Sequence, residues 1–567
     1  MKRKISFGGE LPDKVKKEFK KYPDILGQLL FYRGLENLDD AEDFLKPVYN
    51  EDKFNPFSIK GMDLAVDRIL KAIRENERVI IYSDYDADGI SGAVILNDFF
   101  KKIGFVNFSN YIPNRLKEGY GLNKKAVNKF IQEKTDVLIT IDCGITNSEE
   151  VALASKNGVD VIVTDHHLPG EELPQALAIL NSKQTDDNYL DDMLCGAGVI
   201  FKFIQGLIQK GDFDIVEGWE KWLLDMVGLA TIADMVPLKR ENRVFAKYGL
   251  LVMRKSPRLG LIKLLKKIKV DQKYINEEDI GFMIAPRINA ASRVADPQIT
   301  FDLLSSEDAF VANDLAGQLD SLNNKRKTLV ATAVREAKRK LKERELKDVI
   351  VIGSPEWNLG LSGLIASSLK DFYKRPCFVW GTNEEGEYCG SCRSDTVDLV
   401  ELMSLADQGF FTHSGGHKAA AGFGISSGEI HFFEEKIMKA FGKILNQDIV
   451  EEIFVDKKLT LDDLNWENFN LIEKLAPFGV GNKRPLFMIE SLVIKEARIF
   501  GKAKNHLEMT FINSKGNKVK AIDFFSQFIK DKKFILSQKQ KVDILVNLER
   551  NTYGGSNELR LKIVDIV

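Results

Sequence analysis

Three short stretches of the chain carry almost no polar position: Val79-Ile80-Ile81-Tyr82, Val137-Leu138-Ile139-Thr140-Ile141 and Val161-Ile162-Val163-Thr164. Each breaks off into acid or imidazole. The first runs into Asp84-Tyr85-Asp86-Ala87-Asp88-Gly89, the second into Asp142, and the third into Asp165-His166-His167. A continuous apolar run bounded by turn residues reads as a strand buried on both faces, and strands of that kind belong to parallel sheets. Helical spacing follows the first two turns, over Ser91–Phe100 and over Asn147–Ser155, with Thr146 or Asn147 able to cap the second. From Met62 to about residue 300 the order of elements is therefore α/β. Ligands of open parallel sheets bind in the crevice at the carboxyl ends of the strands. If the three strands are neighbours, Asp84, Asp86, Asp88, Asp142 and Asp165 converge there with both imidazoles, and so many carboxylates stay ionised together only with cations between them.

The patterning changes elsewhere. Residues 1–55 read as a small helical leader, with helical spacing over Leu35–Phe44 before Pro47, and residues 56–306 as the α/β domain with the acidic turns. Residues 307–347, which have no Pro or Gly after Gly317, read as one long charged helix suited to bridging domains. Strand patterns restart at Val349–Ile352 and Cys377–Trp380 around a helix at Leu361–Leu369, giving a second α/β domain over 348–446. Over 447–567 short strands alternate with turns, as in Leu486–Ile489, Val519–Phe525, Val542–Val546 and Leu559–Val564, which predicts a small barrel or sandwich.

At 567 residues the chain is too long for one core. With 44% hydrophobic and 29% charged residues and no apolar run able to cross a bilayer, it has the composition of an ordinary soluble protein. The amino terminus starts basic but lacks the apolar stretch of a signal peptide, so a cytoplasmic location is expected. Five cysteines make no disulfide framework. Cys389-Gly-Ser-Cys392 has the spacing of half a zinc site, without a second pair to complete it. A net charge of −2 makes no global case for a polyanion. The basic clusters Lys14–Lys21, Lys263–Lys269, Asn324–Lys327 and Arg335–Arg344 each read as a solvated helix face that permits such a ligand.

In Asp84-x-Asp86-x-Asp88 the carboxylates are two apart, on one side of an extended backbone. An EF-hand calcium loop would end in Glu at its twelfth position, where Ile95 stands. A further acid, Asp234, closes the apolar run Leu229–Ala233, and Asp225 precedes it; spacing does not choose between them. Several carboxylates with one or two imidazoles suit hard octahedral cations, Mn²⁺ or Mg²⁺. Two such ions can activate a water and stabilise the leaving oxygen of a phosphoryl displacement, so phosphate-ester hydrolysis is the predicted chemistry.

The Asp-Tyr-Asp-Ala-Asp-Gly turn, the Asp142-Cys-Gly turn, Asp165-His166-His167 and Ala233-Asp234 occur in the order that resembles the DHH phosphoesterase superfamily. Further segments, Pro113–Leu122, Pro286–Arg293, Gly415–Gly422 and Pro477–Asn482, are similar to its single-strand-specific exonucleases across nearly the whole chain. The resemblance implies a parallel-sheet DHH domain, a long connecting helix, a second α/β DHH-associated domain and a C-terminal OB-fold, with the metal site in the cleft between the two α/β domains. It implies that Asp86, Asp88, Asp142, His166 and Asp234 hold two Mn²⁺ or Mg²⁺ ions, with Asp84 and Asp165 in or just behind that set and His167 near the scissile phosphate. Arg115, Arg287, Arg293, Ser391, Arg393 and His417 fall in motifs that resemble substrate-binding segments. The implied activity is 5′ to 3′ hydrolysis of single-stranded DNA to 5′-mononucleotides in recombination and repair, by a monomer working with single-strand-binding protein and helicase partners and no membrane. The rivals are a phosphodiesterase for short or cyclic oligonucleotides and a noncatalytic DNA-binding scaffold. Phe487, Phe511, Phe524, Phe525 and Tyr553 are candidate base-stacking aromatics in the tail. Ser83, Ser292 and Cys392 depart from the family's usual residues without removing a ligand.

Overall fold

A computed structural model describes all residues except 1, 50–52, 384–385, 407–408, 445–449, 502–503, 527–540 and 552–556. The chain forms two compact units, one of residues 50–236 and 244–448, the other of 1–49, 237–243 and 449–567.

The first unit contains a five-stranded sheet in the order Phe108–Tyr111, Val79–Ser83, Val137–Ile141, Asp160–Thr164, Ala178–Leu180, parallel throughout. Every position of Val79–Ser83 and Val137–Ile141 is buried, as continuous apolar runs require. The register pairs Ser83 with Ile141 and Ile141 with Thr164, so the three strands end level. The acids that follow extend the ladder by one step: Asp84 N–H donates to Ile141 O (3.0 Å), Asp142 N–H to Thr164 O (2.9 Å) and Asp165 N–H to Leu180 O (3.1 Å). All three carboxylates are thereby fixed at one sheet edge. The helix Ala87–Lys102 leaves the first turn and is buried along most of its length. A Cβ on Gly89 would lie 2.5 Å from Asp84 O, so only glycine lets the first helical turn cross that backbone.

The same unit holds a second sheet in the order Phe411–His417, Ala420–Ile425, Tyr388–Arg393, Cys377–Thr382, Ile350–Gly353, antiparallel except for its last pair. The predicted bridging helix is Ala309–Lys342, capped by Asp308. Its 34 residues span about 50 Å. Its inner face carries Ala312, Ala316, Leu319, Asn323, Ala333, Ala337 and Leu341, and the last three share a core with Ile350, Ile365 and Val379. Cys389 and Cys392, three apart in one strand, point to opposite faces, which removes the half-zinc reading.

In the second unit the helices Asp13–Glu18, Asp24–Phe31 and Leu38–Leu45 share one core with the C-terminal strands, Leu26 and Leu30 clustering with Phe487, Phe511 and Val546. A strand the patterning did not predict, Lys2–Phe7, pairs in parallel with Val450–Val455. Among the described residues the tail forms a seven-stranded sheet. Phe487 and Phe511 are fully buried in its core, whereas Phe524 (39%) and Phe525 (71%) are exposed; Tyr553 lies outside the described residues. Among the described residues no helix is long and apolar enough to cross a membrane.

Candidate metal centre

Asp86 caps the helix Ala87–Lys102, its Oδ1 accepting from the N–H groups of Asp88 (2.8 Å) and Gly89 (3.2 Å). Asp88, one residue into that helix, is turned onto another helix start, accepting from Gly196 N–H at Oδ2 and Ala197 N–H at Oδ1, both 2.7 Å. A helix N-terminus favours an anion, which helps Asp88 survive complete burial. Asp142 has a left-handed backbone (φ 61°), and a Cβ on Gly196 would come within 2.7 Å of its Cβ. Asp234 closes the helix Leu224–Ala233, where the helix dipole disfavours a carboxylate.

His166 Nε2 stands among three of these acids, 3.1 Å from Asp142 Oδ1, 3.6 Å from Asp234 Oδ2 and 3.7 Å from Asp88 Oδ2, without hydrogen-bond geometry to any of them. Asp84 Oδ1 and Asp142 Oδ1 are likewise buried and unpartnered. Three groups each bring ligating atoms within 4.8 Å of one another: Asp142 with His166 and His167, Asp88 with His166 and Asp234, and Asp84 with Asp86 and Asp142. Asp142 and His166 each belong to two groups, so the donors fit a pair of neighbouring cations. Oxygen-rich sets with one or two imidazoles suit Mn²⁺ or Mg²⁺.

The electrostatics express the same demand. Burial, then repulsion from Asp86, lifts Asp88 to about 7. Burial, then Asp88 and Asp86, lifts Asp234 to about 8. Asp84 and Asp142 are raised well above the carboxylate range, first by burial and then by neighbouring acids. His166 is pushed down to about 3 by burial and by His167, so its ring is neutral and able to ligate.

Asp165 differs from the rest because its own donors saturate it. Oδ1 accepts from the N–H groups of His166 (2.7 Å) and His167 (3.0 Å) and faces His167 Nδ1 (2.8 Å), while Oδ2 accepts from Ile145 N–H (3.0 Å). Burial opposes its charge, but the hydrogen bonds from His167 and the backbone win, and its pKa is lowered. In return His167 is raised despite burial. Two residues not singled out from the sequence hold the same pair from behind: Lys183 Nζ donates to His166 O (2.5 Å) and Asn181 Nδ2 to His167 O (2.9 Å). The apolar stretch Ala176–Leu180, not read as a strand from the sequence, is the signal that could have found them. Tyr120, which lies within the segment Pro113–Leu122, puts its hydroxyl 3.4 Å from Asp142 O and 3.3 Å from His167 Nδ1.

Asp225 is elsewhere. Its carboxylate is held by Arg258 Nε (3.0 Å) and Nη2 (3.2 Å) and by Ser256 Oγ (2.7 Å), and Arg258 also pairs with Asp98 (2.9 Å). Every oxygen of Asp225 is thus engaged by a donor, whereas Asp234 faces His166.

Beside the acids stand guanidiniums. Arg115 lies 5.2 Å over the Tyr85 ring. Arg293 donates to Gly360 O (2.8 Å) and is pushed down to about 9 by burial, then by Arg115 and Arg326. Burial lowers Arg393 as well, with Arg115 contributing. Arg393 donates to Cys392 O (2.8 Å), and a Cβ on Gly363 would meet its Nη2 at 2.6 Å, where the helix Ser362–Tyr373 begins. Ser391 Oγ is 2.9 Å from Ser362 Oγ. His417 ends its strand exposed, in register with Ala420, which is itself in register with Arg393. Arg287 is tied to Asp320 (2.9 Å) and Met283 O (2.6 Å).

A level parallel-sheet edge that gathers acids and an Asp-His-His turn, faced by arginines, defines a DHH-type phosphoesterase site. Residues 78–231 match the DHH family N-terminal domain, residues 345–450 the DHHA1 domain and residues 455–565 the RecJ OB domain. The single-stranded-DNA-specific exonuclease RecJ of Haemophilus influenzae is 30% identical over 560 residues, covering 96% of each chain. That of Bacillus subtilis is 37% identical over 86% of this chain, which spans 61% of that relative's length. The crystal structure of Thermus thermophilus RecJ in complex with Mn²⁺ superposes with a TM-score of 0.81 at 27% identity, covering 99% of this chain and 79% of the other. The chain belongs to the RecJ family of the DHH phosphoesterases.

Proposed function

We propose that the protein is a metal-dependent exonuclease that hydrolyses single-stranded DNA from its 5′ end and releases 5′-mononucleotides in recombination and repair. The observation that carries this reading is the overlap of ligand sets at Asp142 and His166 beside Arg115, Arg293 and Arg393. Asp86, Asp88, Asp142, His166 and Asp234 are the ligands of two Mn²⁺ or Mg²⁺ ions, with Asp84 completing the set through its unpartnered Oδ1. Ions bound there supply charge neutralisation and water activation for an in-line displacement. Asp165 orients both histidines and, through its hydrogen bond and charge, raises the pKa of His167 despite burial, which favours a proton on the ring that faces the scissile phosphate. Arg115, Arg293 and Arg393 hold phosphate oxygens with forked donors, Ser391 and His417 line the same sheet, and Tyr120 steadies His167.

Retention of every ligand speaks against a noncatalytic scaffold, and the OB-type tail suits a long strand better than a cyclic dinucleotide. The five thiols form no disulfide, which fits a reducing cytoplasm, where a monomer would receive strands from a helicase and from single-strand-binding protein. Competing a labelled oligonucleotide with unlabelled single-stranded DNA, duplex DNA and a cyclic dinucleotide tests substrate class. Single strands should compete at the lowest concentration; a cyclic dinucleotide that competes as well would replace this reading with the rival.

A further inference from the structure

The basic run Asn324–Lys327 read from sequence as a solvated helix face, but Arg326 lies on the inner side of the bridging helix. It follows the fully buried Asn323 by three residues, which puts the two side by side. Asn323 has no hydrogen-bond partner for Oδ1 or Nδ2, and Arg326 Nε is also buried without one. One helical turn therefore holds three buried polar atoms unsatisfied by the protein, a rare arrangement that calls for something the protein itself does not supply. Asp320, one turn earlier, is not that group, because it is paired with Arg287.

The surroundings indicate the sign of the missing partner. Arg293 feels both Arg326 and the metal-centre acid Asp86, while Arg326 and Lys327 feel Arg287. Cationic groups thus continue from the acids through Arg293 to the bridging helix, with Asp320 the carboxylate already engaged among them. Like charges in a half-buried place are relieved by an anion, as the acids beside them are by cations.

Resting on the exonuclease reading, we propose that Arg326 and Lys327 form a second phosphate subsite, which binds a phosphodiester of the same single strand beyond the scissile one, with the buried Asn323 behind Arg326. Arg326 supplies the fork and Lys327 a point charge at the rim. The site makes a chain of at least two phosphates a better ligand than an isolated phosphate ester.

The test is the affinity of full-length protein for a fluorescent poly-dT oligonucleotide, read by anisotropy with Ca²⁺ in place of Mn²⁺ across a salt series. Each phosphate contact on a single strand contributes about −0.7 to the slope of log K against log salt. Arg326→Met should flatten the slope by about 0.7 and weaken binding about tenfold at low salt. Lys327→Met should flatten it similarly, and Arg326→Lys should retain the slope. If the wild type binds and Arg326→Met and Lys327→Met keep its slope and affinity, the subsite is wrong. Equal loss in Arg326→Lys and Arg326→Met with a lowered Tm would make Arg326 structural and also overturn it. Failure of the wild type to bind single strands would instead overturn the exonuclease reading.

Discussion

His166 Nε2 lies 3.1 Å from Asp142 Oδ1, and neither atom has a hydrogen-bond partner. A cation between them would satisfy both buried atoms at once. Asp142→Asn removes a charge from a crowded set, so the metal-free variant should melt at a higher temperature than the wild type while losing at least a thousandfold of its Mn²⁺-dependent activity. Differential scanning fluorimetry in EDTA, beside an activity assay, checks both halves.

A pH dependence follows from the raised carboxyls. Asp88 and Asp234 hold their protons to about 7 and about 8 in the folded metal-free protein. In the unfolded chain an aspartate releases its proton near pH ~3.9. Between those limits the native state binds more protons, so stability falls as pH rises. In EDTA, Tm should decline from pH 5 towards 8, by more than in Asp234→Asn. The rise in Tm on adding Mn²⁺ should grow over the same interval, because the metal competes with protons for the carboxylates. A flat Tm in EDTA from pH 5 to 8 would contradict the charge crowding.

Asp165 and Asp225 should fail in different ways. Asp165→Ala leaves the N–H groups of Ile145, His166 and His167 without their acceptor, costing about 3 kcal/mol of stability and, through the displaced histidines, at least about 100-fold in activity. Asp225→Ala leaves Arg258 with Asp98 alone among its carboxylates and should cost roughly 3 kcal/mol, but the folded fraction should bind Mn²⁺ with unchanged stoichiometry. Denaturant melts paired with isothermal titration of Mn²⁺ separate the two.

What was legible in the sequence depended on range. The strands ending at Ser83, Ile141 and Thr164 were readable because burial on both faces leaves a continuous apolar run, and their level register brings the acids together once the strands are neighbours. That Asp225 is engaged away from the histidines while Asp234 faces His166 was not readable, because it turns on Arg258, a partner 33 residues from Asp225 that only packing brings near. Arg326 looked solvated because a basic run does not reveal which of its members faces inward; helical phase relative to Asn323 does. The strand Lys2–Phe7 was missed because its partner, Val450–Val455, is some 448 residues away.

The central claim is tested most directly with a single-stranded oligonucleotide labelled at its 5′ end or its 3′ end, incubated with Mn²⁺ and wild-type, Asp142→Ala or His166→Ala protein. The account predicts that the wild type releases the 5′ label at once as a mononucleotide and shortens the 3′-labelled strand stepwise. Neither variant should do so, and EDTA should stop the wild type. Shortening without metal, or equal shortening by the variants, would contradict it.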